Sequence, residues 1–388
     1  MSVTAAEGFR AAGVRAGIKK SGRPDVALVV NDGPLDVAAG VFTSNRFKAA
    51  PVLWSQQVVA DGSARVVILN SGGANACTGP EGFADTHVTA EHVSAVLQAQ
   101  GLDVGAGDVA VCSTGLIGER LPMDRLLAGV DEAAASLSYG GGDDAAVAIM
   151  TTDTVPKTAV FEGDGFTVGG MAKGAGMLAP ALATMLVVIT TDAEVSVADA
   201  QEALRHAAAV TFDRIDSDGC MSTNDTVLLL ASGASEVDPG IDAFTAAVTQ
   251  VCAELAVQLI GDAEGASKDI AIEVCGAATE ADALEVGRAI ARSNLLKCAI
   301  HGEDPNWGRV LSAVGTTRAA FDPSRVDVAI NGVWVCRHGG IGEDRTEVDM
   351  SGRLVQITVD LDAGNQEATV WTNDLTADYV HENSAYST

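Results

Sequence analysis

The sequence contains few aromatic residues and less than half as many basic residues as acidic ones. Phe, Trp and Tyr make up 4% of the 388 residues, so alanine, valine and leucine must supply most of the core. The 24 Lys and Arg against 52 Asp and Glu give a formal net charge of −28. Nucleic acids and anionic membranes carry the same sign of charge, which excludes both as expected partners. A small anionic substrate is still compatible, because one local cation can bind a carboxylate.

Cysteine and histidine patterns typical of metal sites or disulfide frameworks are missing. The seven cysteines are scattered and never spaced as C-x-x-C, which favours a reducing, cytoplasmic location. Residues 1–17 lack the continuous apolar core of a signal peptide. The six histidines show no metal-ligand spacing. A segment that resembles a calcium loop has Arg214 at its first ligand position and Asp225 at its twelfth, so we expect no metal.

No continuous apolar run is long enough to cross a membrane. The uncharged stretch 174–191 has nearly the required length. However, Gly174, Gly176 and Pro180 interrupt it and leave only residues 185–189 continuously apolar. That length is typical of a buried strand. With 47% hydrophobic residues overall, the sequence predicts a folded globular protein without a membrane span.

Strand-like and helix-like segments are mixed along the chain. The predicted strands are 25–31, 65–69, 109–112, 185–189, 226–230, 354–361 and 367–372, with hairpins across Asp164-Gly165 and Asn331-Gly332. The predicted helices are 88–100, 121–137, 241–260 and 281–296, and another that begins after Ser196 with Asp199 completing its cap. Because these segments occur in clusters and do not strictly alternate, we expect an α+β fold.

The stretch KGAGMLAPALATML, residues 173–186, places the hydroxyl of Thr184 directly after the small residue Ala183. Such a segment can cut its own backbone. Thr184 Oγ attacks the carbonyl of Ala183, and an N-to-O acyl shift followed by hydrolysis frees Thr184 as a new N-terminus. Its α-amine, which titrates near neutral pH, can then act as base for the hydroxyl of the same residue. On residue chemistry alone a simpler interpretation is favoured, a glycine-rich turn that leads into a buried strand.

Three other positions are candidates for acyl-transfer chemistry, which needs oxyanion donors and charges that hold the substrate. Thr114-Gly115 follows a predicted strand, where backbone N–H groups and a hydroxyl can point outward together. Lys173 can bind a carboxylate, and Glu264, beside a glycine, can bind an ammonium group. From the residues alone, an ordinary turn, a solvated loop lysine and a surface acid are the favoured interpretations of these positions.

Longer stretches of the sequence connect these candidates. They are NSGGANACTG (70–79), CSTGLIGERLPMD (112–124), MTTDTVPK (150–157), STNDTVLLLASGAS (222–235), DAEGASK (262–268), DPNWGRV (304–310) and the terminal ENSAYST (382–388). Together with 173–186, and in this order, they resemble the ornithine acetyltransferase family, the glutamate N-acetyltransferases of cyclic arginine biosynthesis. The chain departs from the family pattern at Ala263, where glycine is usual, and at Ser267, where threonine is usual. Neither departure alters Glu264.

The resemblance implies a central αββα-type sandwich, as in β-peptidyl aminopeptidases, with a smaller C-terminal α/β lobe from about residue 280. It implies cleavage between Ala183 and Thr184 into an alpha chain, 1–183, and a beta chain, 184–388, which begins with the nucleophile. The family's oxyanion hole corresponds to Thr114 and Gly115. The family's substrate-binding residues correspond to Thr151, Lys173, Thr184, Glu264, Asn383 and Thr388.

The function that the resemblance implies is transfer of the acetyl group of N2-acetyl-L-ornithine to L-glutamate, with Thr184 carrying the acetyl group and no cofactor. It also implies a complex of two alpha and two beta chains. Whether acetyl-CoA is a second donor, as in bifunctional members, is left open. The alternatives are an N-terminal-nucleophile amidohydrolase or aminopeptidase, which would use water as acceptor, and a non-catalytic metabolite-binding protein.

Overall fold

The computed structural model describes residues 2–178 and 185–385 of the chain. The strands in these ranges are β1 (Phe9–Val14), β2 (Val26–Asn31), β3 (Val37–Phe42), β4 (Val66–Ser71), β5 (Val109–Thr114), β6 (Lys157–Glu162), β7 (Thr167–Lys173), β8 (Leu186–Thr191), β9 (Thr226–Ala231), β10 (Asp269–Ala277), β11 (Asp327–Ile330), β12 (Val333–Arg337), β13 (Gly340–Ile341), β14 (Leu354–Asp360) and β15 (Gln366–Asn373). The helices are α1 (Ala50–Val58), α2 (Gly79–Ala99), α3 (Met123–Ala135), α4 (Gly142–Ala148), α5 (Val197–Val210), α6 (Ile241–Gly261), α7 (Glu280–Ala291), α8 (Asn294–His301), α9 (Trp307–Val314) and α10 (Ala377–Ala385).

The strands form three sheets. The first has the order β1-β2-β4-β5, and only its β4/β5 pair is parallel. The second has the order β3-β9-β8-β7-β6, and only its β8/β9 pair is parallel. The third has the order β13-β12-β11-β14-β10-β15.

The first two sheets pack face to face. Leu69 and Ala110 of the first sheet share a buried cluster with Met171 and Val188 of the second. Because successive strand residues point to opposite faces, Ile68 lies on the outer face of the first sheet, which is covered by α2 and α3. Helices α5 and α6 cover the outer face of the second sheet. The predicted α+β class and αββα sandwich are therefore confirmed.

The third sheet forms a C-terminal lobe with its own core. Val274, Ile357 and Val370 from three of its strands pack with α7, α8 and α9 in one buried cluster. The first strand of this sheet is β10, which begins at Asp269, upstream of the predicted start near residue 280. Its partners β14 and β15 lie about a hundred residues later, so local sequence patterns do not reveal this pairing.

Most predicted elements occur within a few residues of their expected bounds, and two differ. Helix α2 begins at Gly79, nine residues before the predicted start, with a proline in its first turn. The helix predicted over 281–296 is divided into α7 and α8. The division lies at Ser293, whose side chain accepts a hydrogen bond from Leu296 N and starts a new helix. The hairpin at Asn331-Gly332 has φ values of 46° and 83°, as a two-residue type I′ turn requires.

Helix α6 is long and apolar enough to cross a membrane by length and composition, with a mean hydropathy of 1.5. In the fold it is a core helix of the sandwich. Phe244, Val248 and Leu255 are fully buried in the cluster that joins α6 to α5 and the second sheet.

All seven cysteines are free thiols.

Candidate active site

Six of the predicted site residues line one cavity of about 70 Å³. They are Thr114, Gly115, Thr151, Lys173, Glu264 and Asn383. The remaining lining residues are Ala74, Ile117, Thr152, Gly176, Met177, Ser222, Thr223 and Asn224. The cavity is therefore built from ends of strands in both sheets of the sandwich, from the segment after α6 and from α10. Residues far apart in sequence meet here.

Thr114 is the last residue of β5, and Gly115 follows it directly. The carbonyl of Thr114 accepts hydrogen bonds from Gly72 N at 2.9 Å and Gly73 N at 3.0 Å. Gly115 has φ of 130°, and a Cβ at this position would lie 2.5 Å from Gly73 N. Only glycine fits this close approach of two backbones, so the direction of the chain after Thr114 is fixed.

The hydroxyl of Thr114 is oriented by Lys173. Lys173 Nζ lies 3.3 Å from Thr114 Oγ1, and both residues are almost fully buried. An ammonium group only donates, so Oγ1 is the acceptor in this pair. The proton of the Thr114 hydroxyl is then available to donate to another group, as an oxyanion hole requires.

Lys173 is the last residue of β7 and is 2% exposed. Burial lowers the pKa of its ammonium group below the ordinary value of 10.5, although Asp153, Asp225 and Glu264 act in the opposite direction. A buried cation that lines a cavity is suited to bind a carboxylate, because the low local dielectric strengthens the attraction.

A buried ion pair that we did not predict supports this region. Asp153 Oδ1 accepts hydrogen bonds at 2.7 Å from both Lys157 Nζ and Gly174 N. Asp153 Oδ2 accepts one from Thr151 N at 2.9 Å. The carboxylate thus holds Thr151, a cavity residue, and the residue that follows Lys173. Burial acts to raise the pKa of Asp153, but the neighbouring lysines and these hydrogen bonds outweigh it and bring the pKa to about 2.

The same network extends to the segment that carries Glu264. Lys157 Nζ also lies 2.6 Å from Asp262 Oδ2. Both Asp153 and Lys157 occur in the stretch MTTDTVPK, but sequence alone cannot distinguish a buried charged pair from a surface pair. The sequence therefore assigns no role to either residue.

Glu264 faces the cavity because a glycine leaves space for it. Its backbone N–H donates to Ala175 O at 2.9 Å. A Cβ on Gly176 would lie 2.6 Å from the Glu264 carboxylate. Asn383 Nδ2, on α10, donates to Glu264 Oε2 at 3.0 Å. The C-terminal helix is thereby connected to the cavity through Asn383.

The loop before β9 completes the wall of the cavity. Asn224 Nδ2 donates to Ala74 O at 2.6 Å and to Ser113 O at 2.8 Å. The side chain therefore joins this loop to the residue before Thr114. We assigned no role to Asn224 from sequence, although it lies within the stretch STNDTVLLLASGAS.

Ala183, Thr184 and Thr388 lie outside the described residues, so their predicted roles stay predictions. The described chain on either side of the proposed cut ends at Leu178 and resumes at Met185. Met185 N donates to Asp225 Oδ1 at 3.1 Å, and Asp225 directly follows the cavity residue Asn224.

Glu264 also lines a second cavity, of about 280 Å³, between the sandwich and the C-terminal lobe. Lys297 and Asp218 bring charges of opposite sign to this cavity. Burial lowers the pKa of Lys297 and raises the pKa of Asp218.

Within residues 2–178 and 185–385, no group of three or more His, Cys, Asp or Glu is arranged to hold a metal ion.

Comparison with known proteins gives one consistent family. A family model described as the ArgJ family matches residues 10–388. The arginine biosynthesis bifunctional protein ArgJ of Streptomyces avermitilis is 70% identical over 387 residues, which cover 100% of both chains. The protein of the same name from Mycobacterium tuberculosis is 60% identical, over 99% of this chain and 96% of its own. A crystal structure of ornithine acetyltransferase complexed with ornithine, from Mycobacterium tuberculosis, matches with 64% identity and a TM-score of 0.46, covering 48% of this chain and 96% of that one.

Proposed function

The chain belongs to the ArgJ family, whose relatives named above are bifunctional proteins of arginine biosynthesis, and we propose that it transfers an acetyl group from N2-acetyl-L-ornithine to L-glutamate. In this proposal the acetyl group is carried on Thr184. One observation supports the proposal most strongly. Six residues that match the family's functional positions, drawn from segments between residues 114 and 383, line the same cavity.

We propose that the chain first cuts itself between Ala183 and Thr184. Thr184 Oγ attacks the carbonyl carbon of Ala183, and the peptide bond becomes an ester as the nitrogen is released. Water then hydrolyses the ester, leaving a carboxylate on Ala183 and a free α-amine and hydroxyl on Thr184. The products are the alpha chain, 1–183, and the beta chain, 184–388.

The acetyl transfer follows from the same groups. The α-amine of Thr184 takes the proton from Oγ, which attacks the acetyl carbonyl of N2-acetyl-L-ornithine. The Thr114 hydroxyl and the Gly115 N–H stabilise the oxyanion that forms. As the tetrahedral intermediate collapses, the ammonium of Thr184 returns the proton to the departing ornithine nitrogen, and acetyl-Thr184 remains. The amine of glutamate then attacks this ester, and the steps run in reverse.

The charged groups of the cavity suit an α-amino acid. Lys173 would bind the α-carboxylate, which donor and acceptor share. Glu264, with Asn383, Thr151 and Thr388, would bind the remaining polar groups of the substrate. Donor and acceptor differ in the sign of their side-chain charge. The second cavity, which reaches Glu264 and contains both Lys297 and Asp218, supplies groups of both signs.

The test measures both processing and products. The purified chain should give two fragments by intact mass, and with both substrates it should form N-acetylglutamate and ornithine. Thr184→Ala should remain a single, inactive chain. Formation of free acetate without N-acetylglutamate would favour the amidohydrolase alternative. An uncut wild-type chain that binds substrates without turnover would favour a metabolite-binding protein.

We further propose that acetyl-CoA serves as a second acetyl donor, because the relatives are named bifunctional proteins. Formation of N-acetylglutamate from acetyl-CoA and glutamate alone would make this chain bifunctional.

We also propose a cytoplasmic complex of two alpha and two beta chains. Native mass spectrometry should then give twice the mass of one precursor, about 79 kDa from 39.4 kDa per chain.

A further inference from the structure

A larger cavity lies beside the cavity of the candidate active site. Its volume is about 600 Å³, against about 70 Å³ for the active-site cavity. Gly115, Thr151 and Thr152 line both, so the two spaces meet at one of the proposed oxyanion donors. Sites for drug-sized ligands have volumes of about 300–1,000 Å³, so this space, here called the side cavity, can hold far more than an amino acid.

The rim of the side cavity carries a strongly basic loop in an acidic protein. Residues 8–24 contain five Lys or Arg and no Asp or Glu, although acidic residues outnumber basic ones 52 to 24 overall. The segment between β1 and β2, residues 15–24, which we call the basic loop, holds four of the five: Arg15, Lys19, Lys20 and Arg23. Lys19 and Lys20 line the side cavity. No ion pair within the described residues involves any of the four.

The backbone of the basic loop is fixed by a buried carboxylate. Asp25, which is fully buried, accepts hydrogen bonds from Ala16 N at 2.7 Å and from Lys19 N at 2.9 Å. Arg125 Nη1 donates to Gly17 O at 2.7 Å. A ligand that binds to this loop therefore does not have to order it first, which favours affinity.

The basic loop also packs against the turn that leads to the oxyanion donors. A Cβ on Gly72 would lie 3.1 Å from both Ile18 Cγ2 and Lys19 Cγ. The N–H of the same glycine donates to Thr114 O at 2.9 Å. One residue thus contacts both the loop and the end of β5, so a single extended ligand in the side cavity can reach both.

Two cations of the basic loop are free to meet a ligand. Lys19 Nζ already donates to Pro24 O at 2.7 Å and to Ala148 O at 3.4 Å, so it mainly holds the loop in place. Lys20 and Arg23 are exposed, and within the described residues no hydrogen bond uses either of their charged groups.

The rest of the side cavity is largely apolar. Its apolar lining residues are Ile18, Leu116, Leu121 and Pro122. Arg120 also lines the cavity, but its charge is compensated by ion pairs with Asp85 and Glu81. Glu119 is the acid among the lining residues. An apolar wall, a cationic rim and an opening onto oxyanion donors suit a ligand with an apolar middle, an anionic end and an acyl group at the other end.

We propose that the side cavity binds acetyl-CoA, with the phosphates at the basic loop, the pantetheine arm along the apolar wall and the thioester carbonyl at Gly115. This inference rests on the proposed function, because it locates the second donor of that reaction. A protein with a net charge of −28 repels an anionic coenzyme in general, so a local group of unpaired cations is needed to attract it. Over the whole reaction the C–S bond breaks and a C–N bond forms, and the proton that the glutamate amine loses ends on the sulfur.

The experiment reverses the two free charges and compares them with a distant one. The variants are Lys20→Glu and the double variant Lys20→Glu/Arg23→Glu. The matched control is Arg205→Glu, because Arg205 is an exposed arginine on α5, which covers the outer face of the second sheet. Binding of CoA and of adenosine 3′,5′-bisphosphate would be measured by calorimetry on the processed protein. Initial rates would be measured with acetyl-CoA and glutamate, and separately with acetylornithine and glutamate.

The double variant should raise the Kd for CoA and the KM for acetyl-CoA by roughly tenfold at low salt, and the single variant by less. Both effects should shrink in about 0.5 M salt, because the phosphates and the exposed loop are screened. The KM for acetylornithine should stay within about twofold, because that donor carries no phosphate. Arg205→Glu should resemble wild type throughout. Wild type should bind CoA roughly tenfold or more tightly than the bisphosphate, since the arm buries apolar surface.

The proposal is overturned if wild type does not bind CoA, if the double variant binds it as wild type does, or if Arg205→Glu weakens binding equally. Equal affinity for CoA and the bisphosphate would also overturn it, because the arm would then lie outside the side cavity. These outcomes are separate from failure of the proposed function. If wild type exchanges acetyl groups between acetylornithine and glutamate but does not bind CoA, only this inference and the second donor fail. If CoA binds through the loop but acetylornithine yields no N-acetylglutamate, the site stands and the proposed exchange fails.

Discussion

Lys157 Nζ lies 2.7 Å from Asp153 Oδ1, and neither side chain is exposed to solvent. Burying two charges costs desolvation energy that their attraction does not always repay, so this pair is weak evidence for stability in itself. The pair matters for the site because the Asp153 carboxylate also accepts hydrogen bonds from Thr151 N and Gly174 N. The pair therefore determines where two parts of the cavity wall lie.

Lys157→Met should destabilise the fold and impair the site. The substitution leaves Asp153 and Asp262 without their shared ammonium group, and removing one partner of a buried pair typically costs about 3–5 kcal/mol. Denaturant unfolding and KM for both substrates should be measured. As a control, Lys20→Met removes an exposed lysine and should change neither. Unchanged stability in Lys157→Met would contradict the assigned role of the pair.

Acid should weaken the fold through Asp153. The folded-state pKa of about 2 lies below the ordinary value of 3.8, so the carboxylate contributes stability above about pH 4 that is lost as the pH falls toward 2. Asp153→Asn lacks this contribution. The difference in unfolding free energy between wild type and Asp153→Asn should therefore shrink as pH falls through this window. A difference that is constant from pH 5 to pH 2 would rule the assignment out.

Thr114→Val keeps the shape of the side chain but deletes the hydroxyl that Lys173 orients. If that hydroxyl stabilises the oxyanion, kcat should fall by roughly 10²–10³, with little change in KM. Thr190→Val is the matched control, because Thr190 is also buried and donates to Val3 O at 2.8 Å, away from the cavity. Steady-state kinetics on processed protein would show the contrast. Equal effects of the two substitutions would argue for a structural role.

Gly176→Ala tests the space that Glu264 occupies. The added Cβ would lie 2.6 Å from the carboxylate, so Glu264 must move. We expect KM for both substrates to rise about tenfold, since a displaced carboxylate no longer meets the substrate correctly. Gly107→Ala adds the same methyl group where nothing lies within 4 Å and should be silent. Normal KM values in Gly176→Ala would remove Glu264 from substrate binding.

Asn383→Ala removes the hydrogen bond between α10 and Glu264. Self-cleavage should proceed normally, because it depends on the region around Thr184 and the oxyanion donors, while KM for both substrates should increase severalfold. Ser384→Ala, next on the same helix, removes only a hydrogen bond to His381 O and is the control. If Asn383→Ala has the kinetics of Ser384→Ala, the C-terminal segment has no role in binding.

The sequence predicted local features far better than it predicted the supporting contacts. The Asn331-Gly332 turn and the Ser196 cap, which accepts a hydrogen bond from Asp199 N, depend on neighbouring residues and were predicted correctly. Thr114 and Lys173 were named through a family resemblance, and the structure places them in hydrogen-bond contact.

The supporting contacts could not be predicted because they depend on long-range burial. Lys157 and Asp262 are 105 residues apart and meet only in the folded chain. Nor does sequence reveal that Asp225 binds the backbone of Met185. The early start of the C-terminal lobe has the same origin, since β10 is defined by strands that follow much later.

The order of strands in the second sheet has a consequence for the cut chain. Strands β3, β6 and β7 precede the proposed cut, whereas β8 and β9 follow it. The order β3-β9-β8-β7-β6 therefore inserts the two later strands between strands of the earlier fragment, with Lys173 paired to Leu186 across the junction. The two polypeptides would share one sheet, in which strands of one fragment are hydrogen-bonded to strands of the other. Their dissociation would be equivalent to unfolding, so neither piece could exchange with that of another molecule while both stay native.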